Sequence, residues 1–262
     1  MFWKIFKHDF IKIYKIMGIF YALAIIFAIL AKICLDQSSN AVIWLIFGNI
    51  FAGGMWGMAI SSLINGVLRA LKNFRENIYG KGAFLTRCLP TNIQTVFLEK
   101  LLFGAFLSLT SIIIATTAVF IVYAPYDQIS AMLDLISSTT GTSAAAALIF
   151  IFVIFYVEIL LVFSAGVIGV ILGHKHLKHK NLWAVIYGFL VYLLSQAIIV
   201  GSIATAGIFE PDISQLFSTT SNIITPNAIK VATVTSAISY TLCAVILSII
   251  SSCLVKKGVD ID

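Results

Sequence analysis

Charge is the scarcest property of this sequence. Asp, Glu, Lys and Arg make up 11% of its 262 residues, against about 25% in an ordinary soluble domain. Hydrophobic residues make up 60%, and the mean hydropathy is +1.05. A single core of ordinary size could not hide that much apolar surface, whereas lipid solvates it directly. Only four prolines occur, and no segment of about ten residues alternating in hydropathy recurs along the chain, which argues against a β-barrel. Long apolar runs argue for helices, which satisfy their own backbone in lipid. The four cysteines, Cys34, Cys88, Cys243 and Cys253, have no CxxC spacing and no His at zinc-ligand distance, so neither a disulfide nor a metal site is expected. The Gly-rich phosphate loop GxxxxGK[ST] is missing, so ATP hydrolysis and its cofactors are not expected on this chain. The HExxH motif and the clustered acid–base groups of an intramembrane enzyme are missing too.

What is present is six apolar runs, at roughly 16–35, 42–68, 96–124, 143–173, 182–207 and 229–255, each long enough to cross a bilayer. The predicted fold is an all-α membrane protein of six transmembrane helices in one transmembrane domain, 1–262. With the N-terminus in the cytoplasm, all of the 17 basic residues except Lys32 and Lys230 fall on the inner side. Asp36, Asp127, Asp134, Glu210 and Asp212 fall outside. The positive-inside bias therefore places both termini in the cytoplasm. It also accounts for the net charge of +6 without nucleic acid, because the basic residues are scattered between spans. Loops 125–142 and 208–228 are then external, and 69–95 is the cytoplasmic loop. No internal repeat or second soluble domain is visible.

The opening, MFWKIFKHDFIKIYKIMGIF, reads as an uncleaved anchor, since no small-residue cleavage site follows a short apolar core. Its Lys4, His8, Lys12 and Lys15 share one helical face, and Phe6, Phe10, Ile13 and Met17 another. That suits an interfacial helix over residues 1–15, with lysines toward anionic lipid. It equally suits a first span that starts early with snorkelling lysines.

The stretch RALKNFRENIYGKGAFLTRCLPTNIQTVFLEK, residues 69–100, is the longest inner segment. Gly80, Gly82 and Pro90 interrupt it. Thr91 fits an N-cap, with Gln94 as its capping-box partner. Ala83, Phe84 and Leu85 form a short apolar patch between Lys81 and Arg87. Such a patch is either a docking surface for a partner or a loop resting on the membrane interface.

This stretch resembles the intracellular loop of bacterial ABC-transporter permeases of the type-2 exporter class. The matching positions are Phe74, Arg75, Asn77, Gly82, Phe84, Leu85, Thr86, Leu89, Pro90 and Lys100. Lys81 stands where relatives often carry an acidic residue. The basic-aromatic opening and the GHKHLKHKNLWAVIYGFLVYLL stretch are similar to parts of the same family, as is the six-span plan. The resemblance implies a bacterial cytoplasmic-membrane exporter of an amphipathic cargo such as a peptide, lipid-like molecule or drug. It implies cytoplasmic ABC ATPase subunits that bind ATP and Mg, and a second permease chain, identical or paralogous. It further implies ATPase coupling through Phe74, Arg75, Asn77, Tyr79, Lys81, Phe84, Leu85, Arg87 and Pro90.

Inside the spans, Glu158 stands out in FIFVIFYVEILLVFSAG. A carboxylate at that depth costs about 2.5–3.5 kcal/mol on insertion scales, so it should face protein or a pathway. Ala165, Gly169 and Gly173 lie on its helical face and suit close packing. Span two carries Asn49, Gly53, Gly57, Ser61 and Asn65 in one row, expected to pack against another helix or line a pathway. HKHLKHK, residues 174–180, reads as a positive-inside anchor rather than a metal site, and Lys32 and Asp36 stand four apart for an ion pair. A secondary transporter or channel is the alternative. It calls for several charged residues within spans or matching broken helices in two halves, and the sequence has only Glu158 at depth.

Overall fold

An apolar run in lipid must satisfy its backbone internally, and here every such run does so as a helix. The computed structural model describes residues 2–38, 41–80, 92–123, 137, 143–209 and 226–256. Its helices are α1 (Phe2–Asp36), α2 (Val42–Ile78), α3 (Ile93–Tyr123), α4 (Ala144–Gly173), α5 (Lys180–Phe209) and α6 (Pro226–Lys256). All six are long and apolar enough to cross a membrane, and no strand occurs among the described residues. The protein is thus a multi-pass helical membrane protein.

Every helix but α4 is longer than the run that predicts it. At 1.5 Å per residue, the 37 residues of α2 span about 55 Å, well beyond a hydrocarbon core of about 30 Å. α1 runs unbroken from Phe2, so the basic opening and the first span are one helix. Its buried row is Asp9, Ile13, Met17, Tyr21, Ala24, Ala28 and Ala31, spaced as one helical face. Phe6 sets its ring edge-on to Phe103 of α3, with centroids 5.6 Å apart. The opening therefore packs on protein from its first turns. At the far end of α1, Lys32 and Asp36 pair at 3.4 Å.

The ends follow local chemistry. α2 stops at Ile78, where the Tyr79 and Gly80 amides both return to the Arg75 carbonyl. At α3 it is Asn92 that caps, its side-chain oxygen accepting from the Gln94 amide at 3.2 Å; Thr91 lies outside the described residues. Ser143 caps α4 by accepting from the Ala146 amide. His179, before α5, holds a left-handed φ of 54°, a conformation tolerated by few residues other than Gly.

The chain divides into two compact units, Met1–Ile129 and Ser130–Asp262. In the first, α1, α2 and α3 each pack against the other two. Its core runs from Ala28, Ala31, Ala52, Met55, Ala118 and Val122 to Phe74, Phe97 and Phe103. In the second, α4, α5 and α6 do the same, around Leu161, Ile199, Cys243 and Ala244.

Candidate functional site

The first unit buries a chain of polar side chains where α2 ends. Asn77 donates to the Asn73 side-chain oxygen at 2.9 Å. Asn73 in turn donates to the Asp9 carboxylate of α1. The Lys100 ammonium of α3 donates to the same Asp9 oxygen and lies 2.9 Å from Glu99. Asp9, Asn73, Glu99 and Lys100 are each at most 4% exposed. The chain thus crosses all three helices in the last turns of α2, before the 81–91 segment.

Its charge does not balance. Two carboxyl groups face one ammonium, and Lys100 approaches Glu99 through a single oxygen. The other Glu99 oxygen, Oε1, has no donor among the described residues. A buried ion pair rigidifies when its remaining groups are satisfied and is costly when they are not. Around it, His8 approaches Asp9 at 3.6 Å from solvent, and Lys12 and Lys72 flank Glu76 at 3.7 and 3.8 Å. Deeper in the unit, Tyr14 meets Thr110 at 2.5 Å and Tyr21 meets Ser111 at 2.7 Å, tying α1 to α3.

Four of the expected coupling residues are described, and they take different parts. Phe74 is fully buried with its ring edge-on to Phe97 at 5.9 Å. That corrects its expected place on a partner-facing surface: it fixes α2 against α3. Asn77 is the outer link of the buried chain, and Arg75 is half-buried and supplies the carbonyl that closes α2. Tyr79 is half-buried at the helix cap, where desolvation pushes its phenol well above the ordinary tyrosine range. Lys81, Phe84, Leu85, Arg87 and Pro90 lie outside the described residues.

The expected α2 row lies off the buried face of its own unit. The buried face of α2 is Gly48, Ala52, Met55, Ala59, Ser62, Gly66, Ala70 and Asn73, one residue out of step with the expected row. Asn49, Gly53 and Gly57 are exposed, and a side chain added at Gly53 or Gly57 would meet nothing within 4 Å in its own unit. Ser61 is half-buried and accepts from Asn65 through its carbonyl. Small residues mark a face that permits close approach; they do not say that the approach comes from the same unit.

In the second unit the expected packing face is the one observed. A Cβ at Gly169 would stand 2.4 Å from the Ala184 carbonyl oxygen, and one at Gly173 2.5 Å from the Ala184 amide. α4 and α5 therefore touch backbone to backbone. The histidines of the 174–179 link are engaged locally. His174 bonds the Val170 carbonyl at 2.8 Å. His176 meets the Tyr187 hydroxyl at 2.9 Å and stacks on Trp183.

Glu158 is half-buried at the middle of α4. The contact pairs Gly173–Ala184 and Gly169–Gly188 set the α4–α5 register, which brings Gln196 and Ile199 to the level of Glu158. Tyr240 of α6 donates to the Gln196 side-chain oxygen at 3.2 Å and interacts electrostatically with both Glu158 and Tyr192. A polar cluster from three helices therefore sits at mid-span. Asp9, Glu99, Gln196 and Tyr240 were not singled out by the sequence. Asp9 had a signal, since it falls four residues before Ile13 on the apolar row. Comparison of the chain with family models, with curated proteins and with solved structures gave no match.

Proposed function

We propose that this chain is the membrane subunit of an ATP-driven exporter, similar to the type-2 class of bacterial ABC permeases. It works with cytoplasmic ATPase subunits and a second permease chain in the cytoplasmic membrane. The observation that carries the reading is the buried chain from Asn77 through Asn73 and Asp9 to Lys100, set at the base of the loop whose sequence resembles the family's. An ATPase that moves this loop must move helices, not merely flex a linker. Polar side chains locked across three helices turn a push at the end of α2 into a tilt of the whole unit. The long inner extensions of α1 and α2 give that push a lever. The uncovered Asn49, Gly53 and Gly57 stripe on α2 supports contact with the second permease chain. Glu158 and its neighbours line the cargo's path.

In this arrangement Phe84 and Arg87 fill and orient the ATPase contact, with Arg75 and Lys81 beside them. Aromatic and Arg anchors usually dominate such interfaces. Changing both Phe84 and Arg75 to Ala should cut co-purification of the ATPase at least tenfold, while the permease still reaches the membrane. Normal co-purification and export by that double variant would reduce the loop to a linker and end the coupling argument. Orientation has its own test. In a cysteine-free background, Ser138→Cys and Ser218→Cys should react with an impermeant thiol reagent in intact cells, and Lys257→Cys should react only after lysis. Labelling at 257 in intact cells would reverse the topology.

A further inference from the structure

The mid-span cluster of the second unit is built from groups that want two different partners. Glu158 lies at the centre of a 30-residue helix, about 20 Å from either end. Among the described residues no Lys, Arg or His forms an ion pair with it, and the nearest basic residue along α4 is Lys175, past the helix end. The cost of holding a carboxyl group at that depth is therefore not offset by a resident cation. Gln196 is satisfied on one side only. Its oxygen accepts from Tyr240, while its buried amide nitrogen has no acceptor among the described residues. Tyr192 and Tyr240 add two aromatic rings at the same level, and ring faces attract cations.

We propose that this cluster binds the head group of an amphipathic molecule carrying a protonated amine next to an oxygen acceptor. The ammonium pairs with Glu158 against the faces of Tyr192 and Tyr240. The neighbouring carbonyl or hydroxyl oxygen accepts from the Gln196 amide. The molecule's apolar part lies along the exposed residues Phe155, Leu193 and Leu242, which flank the cluster on α4, α5 and α6. The ammonium supplies the missing counter-charge and the oxygen the missing acceptor, so one ligand settles both deficits. The inference deepens the export reading by naming the cargo's head group. It rests on that reading only for the direction of movement, because binding needs no ATPase.

The experiment uses the full chain alone in nanodiscs, with two photoreactive probes of equal chain length. One is a long-chain 2-amino-alcohol and the other the matching alcohol without the amine. The amine probe should label peptides of α4, α5 and α6 around Glu158, and excess unlabelled amino-alcohol should compete. Labelling by the alcohol should be at least tenfold weaker. Glu158→Gln should reduce amine labelling to the level of the alcohol, Glu158→Asp should retain most of it, and Gln196→Ala should weaken it severalfold. Equal labelling of the wild-type protein by both probes overturns the proposal, whatever the variants do. So does undiminished amine labelling of a folded Glu158→Gln protein. Failure of the wild-type chain to co-purify with any ATPase, with amine labelling intact, would remove the export reading and leave the site.

Discussion

Lys100→Met should be among the most damaging single substitutions in the first unit. It leaves Asp9 and Glu99 buried with no cation, and removing one partner of a buried ion pair costs about 3–5 kcal/mol. For a protein of this size that lowers the midpoint of thermal unfolding by on the order of 10 °C. The readout is the monodisperse fraction remaining after heating in detergent. Charge counting sharpens the expectation. With two carboxyl groups facing one ammonium, Asp9→Asn or Glu99→Gln leaves a balanced one-to-one pair, so each should be milder than Lys100→Met. Asp9→Asn should be the worse of the two, since Asp9 receives donors from both Asn73 and Lys100 while Glu99 is approached by Lys100 alone. Wild-type melting of Lys100→Met, or a reversed order among the three, would show that the cluster is not the joint described.

Gly169→Leu should separate α4 from α5. Even the Cβ would stand 2.4 Å from the Ala184 oxygen and 2.6 Å from the Gly188 amide. Ordinary contact begins near 3.4 Å, so the helices must part by about an ångström before the rest of the leucine is placed. The obstructing atoms are backbone and cannot swing aside. Overpacking of this kind costs about 1–3 kcal/mol and occasionally more, and the loss of polar register at Glu158 and Gln196 adds to it. Gly169→Ala should already be destabilising. Gly53→Ala is the contrast, because nothing in its own unit lies within 4 Å of the added methyl. It should leave thermal stability unchanged and weaken only association with the second permease chain proposed above. Equal stability of Gly169→Leu and wild type would mean that the α4–α5 contact is looser than drawn.

The six helices were legible because the signal for a span is length and hydropathy, which survive any error of face. Glu158 and the Gly169–Gly173 face were legible because a carboxyl group and two glycines are conspicuous in FIFVIFYVEILLVFSAGVIGVILG. Less legible were the faces buried within each unit and the charges near the helix ends. The α2 row through Gly53 was chosen for its small residues, but burial in the first unit follows Ala52, Met55 and Ala59. Phe74 matched the resembling motif, yet its ring is needed against Phe97. Asp9 and Glu99 were not singled out, and Lys100 was read as a topology signal and a motif position rather than as a buried partner. Counting basic residues by side of the membrane says nothing about which of them turn inward. The α1 row through Asp9, Ile13 and Met17 did contain that information.

The division of packing has a consequence for biosynthesis. α1, α2 and α3 bury their cores and polar latches among themselves, and Ile129 closes that unit. The first half of the chain can therefore assemble in the membrane while the ribosome is still making α4. Lys100 arrives on the last helix of the three, so Asp9 waits for its counter-charge until α3 has emerged. Separate expression of residues 1–129 and 130–262 should accordingly yield two fragments that each insert and resist proteolysis.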